Sequence, residues 1–97
     1  MPHNPQTTDK PLFIPLMGIY FDAFKDGRKM YEYRPLGKRW NERTCFVGRR
    51  AVLSRGYGKQ HRLERTVLGL SIIVKHKPND FVKIYGDEVP CLAIKLA

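Results

Sequence analysis

The densest chemistry in the chain lies in eight consecutive residues, Gly27-Arg28-Lys29-Met30-Tyr31-Glu32-Tyr33-Arg34, which place a lysine, a carboxylate and two guanidinium groups in one short stretch. A lysine near a carboxylate in a half-buried cleft acts as nucleophile or base when burial lowers its pKa, and otherwise forms a salt bridge. Lys29 and Glu32 are therefore the candidate catalytic pair. Read as one strand over 29–34, the segment sends Met30, Glu32 and Arg34 to one face and Lys29, Tyr31 and Tyr33 to the other. That alternation predicts that Lys29 and Glu32 do not pair directly. Glu32 and Arg34 share a face, where Glu32 either orients Arg34 or meets a ligand beside it.

Charge extends the argument. The net charge is +9 and the sequence pI about 9.9. Between Lys25 and Arg65 thirteen lysines and arginines face four acids, so this segment holds the whole net charge, and all nine arginines lie in it. Guanidinium groups are flat, forked donors that suit phosphates and base edges and stack on rings, whereas lysine is a hydrated point charge. The segregation points to an anionic, nucleotide-like partner more than to a merely soluble surface. Arg28, Arg34, Arg55, Lys59, Arg62 and Arg65 interleave with Tyr31, Tyr33, Tyr57 and Trp40, the mixture that neutralises phosphates and stacks bases. Tyr57, flanked by glycines in a basic loop, is the first stacking candidate; Tyr31 and Tyr33 read as packing residues, and Trp40 either anchors its loop or stacks.

These residues need elements to hold them. Leu12 to Met17 is a short apolar run for a first strand, with Pro15 marking an edge or a bend. Ile19 to Asp26 forms a helix with Ile19, Tyr20, Ala23 and Phe24 on one face, stopped by Gly27 as a left-handed cap. The 29–34 strand follows, then a basic loop over 35–44. Ala51 to Ser54 is a strand leading into the loop Arg55-Gly56-Tyr57-Gly58, and Leu63 to Val74 is a long strand bulged or bent at Gly69. Asn79 caps a turn of helix, and Cys91 to Leu96 is the last strand. The fold class is α+β, a sheet curling into a small β-barrel with short flanking helices.

Composition narrows the classes. With 97 residues, 42% hydrophobic and 28% charged, the chain suits one globular domain over 11–97, preceded by a flexible tail of residues 1–10. Its apolar runs are far shorter than a membrane span, and the polar start lacks the stretch of a secretory signal, so a cytoplasmic protein without a membrane partner is expected. Cys45 and Cys91 read as reduced thiols, and with His3, His61 and His76 they make no zinc spacing. No metal and no cofactor enter the reading. There is no internal repeat, heptad or low-complexity tract, and nothing in the pattern sets an oligomeric state.

The stretch 27–34 resembles the G-x-K-x-x-E-x-R signature of ASCH domains, matching at every marked position. The preceding Tyr20-Phe21-Asp22-Ala23-Phe24-Lys25 is similar to that family's helix, and Leu53-Ser54-Arg55-Gly56-Tyr57 to a strand-to-loop segment of bacterial and phage members; the resemblance covers roughly Leu12 to Leu70. It implies a PUA-like barrel with a cleft beside the signature strand, a fold thought to bind RNA. Some members are amidohydrolases of acetylated cytidine that use a lysine, a threonine and a glutamate, and others are reported to cut RNA. Lys29 matches the amidohydrolase lysine. Three residues later those enzymes carry threonine where this chain carries Glu32, as the wider family does; Thr44 or Thr66 would substitute only by tertiary placement, and Glu64 is the glutamate on offer.

Three functions follow. The first is an RNA- or nucleotide-binding protein using an arginine-rich cleft. The second is a hydrolase acting on a modified nucleoside or, as a ribonuclease, on RNA, with Lys29 and Glu32 at work. The third is a basic interaction protein docking on an acidic protein surface.

Overall fold

The computed structural model describes residues 10–97; the expected tail, Lys10 apart, lies outside the described residues. In chain order the elements are β1 (Leu12–Leu16), α1 (Gly18–Lys25), β2 (Tyr31–Pro35), β3 (Arg50–Arg55), β4 (Arg62–Ile73), α2 (Asn79–Tyr85) and β5 (Cys91–Leu96). The strands form one sheet in the order β1-β3-β4-β5-β2, with β1 parallel to β3 and the other pairs antiparallel. β1 and β2, joined in sequence by α1, are thus opposite edges of the sheet. They nevertheless meet: the Arg34 guanidinium on β2 donates to the Pro15 carbonyl on β1 at 2.6 Å. The result is a small α+β domain whose sheet curls into a half-barrel, with the gap between its edges bridged by a side chain.

The concave face carries the core. Leu12, Ile14 and Leu16 alternate inward from β1, and Ala51, Leu53, Val67, Leu92, Ile94 and Leu96 join them from the other strands. β5 lies between β4 and β2 and is buried from Cys91 to Ile94, as suits a near-continuous apolar run covered on both faces. Gly69 marks the expected irregularity: the register shifts between Val67 and Gly69, where β4 leaves β3 and continues along β5. Among the described residues no helix is long and apolar enough to cross a membrane.

Local geometry corrects three sequence expectations. The buried face of α1 is Phe21 and Phe24, three residues apart, while Ile19 is 66% exposed. Ile19 stands two positions before Phe21, roughly 200° around the helix, so seating Phe21 on the sheet turns Ile19 outward. Asn79 is not a cap: the N-cap of α2 is Pro78, and no side chain caps that helix. The third concerns the signature strand. Gly27 adopts a positive φ of 86° after α1, and the turn is closed by Gly27 N–H to the Phe24 carbonyl (3.3 Å) and Lys29 N–H to the Ala23 carbonyl (3.1 Å). This cap occupies the chain through Lys29, so the strand starts only at Tyr31 and Lys29 escapes its alternation.

Candidate functional site

The seam between the two sheet edges opens into a cleft of about 220 Å³. Pro15, Leu16, Met17 and Tyr20 line one side, Lys29, Glu32, Tyr33 and Arg34 the floor, and Pro78, Asp80, Phe81, Ile84 and Tyr85 from α2 and its entry the other. Aromatic walls and a few converging charges make this cleft the candidate site.

Glu32 organises the floor. Its buried carboxylate accepts from Arg34 Nε at 2.9 Å and lies 2.8 Å from Arg34 Nη2, both through Oε2, while Oε1 lies 3.9 Å from Lys29 Nζ. Glu32 and Arg34 thus share a face, as the alternation indicates, whereas the expectation that Lys29 and Glu32 cannot pair is overturned. The cap places Lys29 before the strand and lets its side chain swing to the Glu32 side. Arg34 is held flat from above by Trp40, 4.7 Å from its guanidinium carbon to the ring centre.

Lys29 sits in a ring of aromatic faces, with Nζ 5.3 Å from the centre of Tyr20, 5.5 Å from Phe24 and 5.0 Å from Tyr33. Its side chain is 20% exposed. Burial holds its pKa below the ordinary 10.5, although Glu32 and Asp80 pull the other way. No described residue accepts a hydrogen bond from its ammonium group, and Glu32 is the one described carboxylate within 4 Å of it. At the mouth, Tyr20 donates its hydroxyl proton to Asp80 Oδ2 at 3.1 Å, joining α1 to α2; burial and then Asp80 raise the Tyr20 pKa. Lys29 and Arg34 face Glu32 and Asp80, so the cleft is polar but balanced in charge.

The other expected binding residues lie elsewhere. Arg28 is exposed and held by Asp26, with Nε 2.8 Å from both carboxylate oxygens. Arg55 approaches Asp22 of α1 at 3.6 Å and covers Gly18, where any side chain would collide with it. Arg65 donates to the Phe24 carbonyl at the other end of α1. Arg55 and Arg65 therefore clasp that helix. Tyr57, Lys59 and Arg62 are exposed in and beside the loop joining β3 to β4. Of the aromatic candidates, Trp40 is buried in the core, Tyr33 lines the cleft rather than only packing, and Tyr31 is exposed and stacked on Tyr33 with centroids 6.2 Å apart. Thr44 is bound into its own loop, Thr66 lies opposite Arg50 in the β3/β4 ladder, and Glu64 is exposed and faces Arg50; none lines the cleft.

The site also contains residues that the sequence did not mark: Tyr20, Asp80, Phe81 and Tyr85. Tyr20 read as a core position of its helix, and no local signal places α2 opposite the signature strand. Among the described residues no three His, Cys, Asp or Glu side chains gather as a metal site. No protein-family model matches the chain, and no curated protein matches it in sequence.

Proposed function

We propose that this chain binds RNA or a nucleotide-like ligand, with one base seated in the seam cleft. The observation that carries the reading is Lys29: a half-buried side chain whose ammonium group is ringed by aromatic faces and opens onto the cleft, with no hydrogen-bond acceptor among the described residues. An ammonium group that faces a cleft with its donors free is a natural partner for a ligand's carbonyl or ring nitrogen. Glu32 retains lone pairs on Oε1 for a ligand N–H, and Tyr20, Tyr33, Phe81 and Tyr85 offer apolar walls for a flat ring. The resemblance of 27–34 to the ASCH signature and the curled α+β sheet support the same reading, with a PUA-like barrel as the parent fold and the cytoplasm as its setting.

A hydrolase is the second reading, favoured by the lowered pKa of Lys29 beside a buried carboxylate. Its mechanism would differ from that of the amidohydrolases of the family the sequence resembles, because among the described residues the side-chain hydroxyls lining the cleft are those of Tyr20, Tyr33 and Tyr85.

The test uses a short single-stranded RNA and a panel of acylated and unmodified nucleosides, with wild type beside Lys29→Ala. Binding is followed by anisotropy and calorimetry, and product by liquid chromatography. Saturable binding without turnover, weakened at least ten-fold in Lys29→Ala, is the expected result. Product formed by wild type alone moves the conclusion to the hydrolase. Failure to bind any of these ligands at physiological salt overturns it.

A further inference from the structure

The outward face of β1 leads from the cleft to a second cluster. Phe13 and Pro15 share that face, roughly 7 Å apart along the strand, and Pro15 is a wall of the cleft. Beside Phe13 stands Tyr57, 81% exposed, with ring centroids 6.4 Å apart and planes at 44°. Arg62 lies over the same phenylalanine, 5.3 Å from guanidinium carbon to ring centre. The loop that presents Tyr57 is fixed rather than merely attached. Gly56 N–H donates to the carbonyl of Leu16, itself a cleft residue, at 2.8 Å, and Gly56 has a positive φ of 72°. The Ser54 hydroxyl donates to the Gly58 carbonyl at 3.0 Å, and Arg62 Nε approaches that carbonyl at 3.4 Å.

Charge distinguishes this cluster from the cleft. In the cleft each cation has a carboxylate to answer it, so a phosphate gains little there. Lys59 and Arg62 have no carboxylate partner among the described residues. An aromatic face open to solvent, with Arg62 over the neighbouring Phe13 ring and exposed Lys59 two residues along the same loop, matches an unstacked base and its phosphate. An acidic peptide would use the cations and leave the ring idle; a duplex would hide its base faces from it.

We infer that Tyr57, Arg62 and Lys59 form a ledge for the nucleotide next to the one in the cleft, so that the ligand is a single-stranded polynucleotide and not a free nucleoside. The inference rests on the proposed cleft function for its account of the neighbouring base, but it has its own residues. Tyr57 stacks the flanking base, Arg62 and Lys59 hold its phosphate, and the Gly56 to Leu16 bond sets the spacing between the two sites.

The experiment compares the four 5′-mononucleotides with a fluorescein-labelled mixed-sequence RNA octamer, using wild type, Tyr57→Ala, Tyr57→Trp, Arg62→Gln and Lys29→Ala. Lys75→Ala, beyond the opposite end of β4, is the charge control. Wild type is expected to bind the octamer at least about ten-fold more tightly than any mononucleotide. Tyr57→Ala removes most of that gain, Tyr57→Trp restores it, Arg62→Gln lowers the slope of log affinity against log salt by about one, and Lys75→Ala does neither. Equal affinity for mononucleotide and octamer overturns the ledge, as does an octamer affinity indifferent to Tyr57→Ala. Equal competition by a matched duplex or by poly-glutamate also overturns it, the latter in favour of an acidic protein partner. An octamer affinity lost in Tyr57→Ala and untouched in Lys29→Ala sustains the ledge and removes the cleft; no binding of either probe removes both.

Discussion

Replacing Arg34 by methionine keeps most of its stem and removes every donor, and three interactions go with them. These are the pair with buried Glu32, the bond to the Pro15 carbonyl across the sheet edges, and the guanidinium face on Trp40. Breaking one half of a buried ion pair costs about 3–5 kcal/mol. Here the Arg34 side chain is 15% exposed and Lys29 still stands 3.9 Å from the stranded carboxylate, so the lower end, about 3 kcal/mol, is expected. In a domain of this size each kcal/mol moves the melting temperature by about 4–8 °C, so Arg34→Met should melt roughly 12–24 °C below wild type. The double variant Glu32→Met/Arg34→Met, which removes the orphaned charge with its partner, should recover about 2 kcal/mol and leave a deficit near 1 kcal/mol for the lost edge-to-edge bond. Urea unfolding followed by circular dichroism and by the fluorescence of Trp40, the single tryptophan, measures all four corners of the cycle. A cost below about 1 kcal/mol for Arg34→Met, or a double variant no better than the sum of the singles, refutes the reasoning.

Lys29→Met should be as stable as wild type or more so, because burial outweighs the pull of Glu32 in setting the lysine's protonation. Between its lowered folded pKa and 10.5 the unfolded chain binds more protons, so wild-type stability gains from rising pH there; urea midpoints up to pH 10.5 should show that gain missing in the variant. Lys77, 1% exposed, donates to the carbonyls of Asp87 and Val89 and lies 3.8 Å from the Asp87 carboxylate, so Lys77→Met should cost about 2 kcal/mol in the same titration. Cys45 and Cys91 are both fully buried, and burial pushes the Cys91 thiol up; a disulfide reagent should label them only as the chain unfolds, and rapid labelling of the native protein would contradict that packing.

The local part of this architecture is legible in the sequence. Cys91 to Leu96 is an unbroken apolar run and becomes β5; Gly27 ends α1; Pro15 signals an edge, and β1 is one. The two-residue period correctly joins Glu32 to Arg34. It fails at Lys29, where one capping turn shifts the strand's start by two residues and reverses the conclusion about pairing. The cleft's far wall was not legible because it depends on topology: Tyr20 and Asp80 are sixty residues apart, and only the order β1-β3-β4-β5-β2, with the sheet curled, brings β1, β2 and α2 around one space. The same holds for the contacts of Arg55 and Arg65, which reach Asp22 and the Phe24 carbonyl of α1 because that helix packs over the sheet, an arrangement that charge and aromatic spacing do not show.

Pro15 has a consequence for how molecules of this protein behave towards one another. An edge strand invites another chain by offering alternating N–H and carbonyl groups along its open side. In the parallel pairing of β1 with β3, Pro15 has no N–H to offer, and its carbonyl, on the side away from β3, is taken by Arg34 of the same molecule. Near the end of β1 that borders the cleft, both halves of a ladder rung are therefore withheld from an incoming strand. The contact that draws the sheet around the cleft also discourages a neighbouring copy from extending the sheet outward, so closure and resistance to strand-by-strand aggregation depend on the same guanidinium.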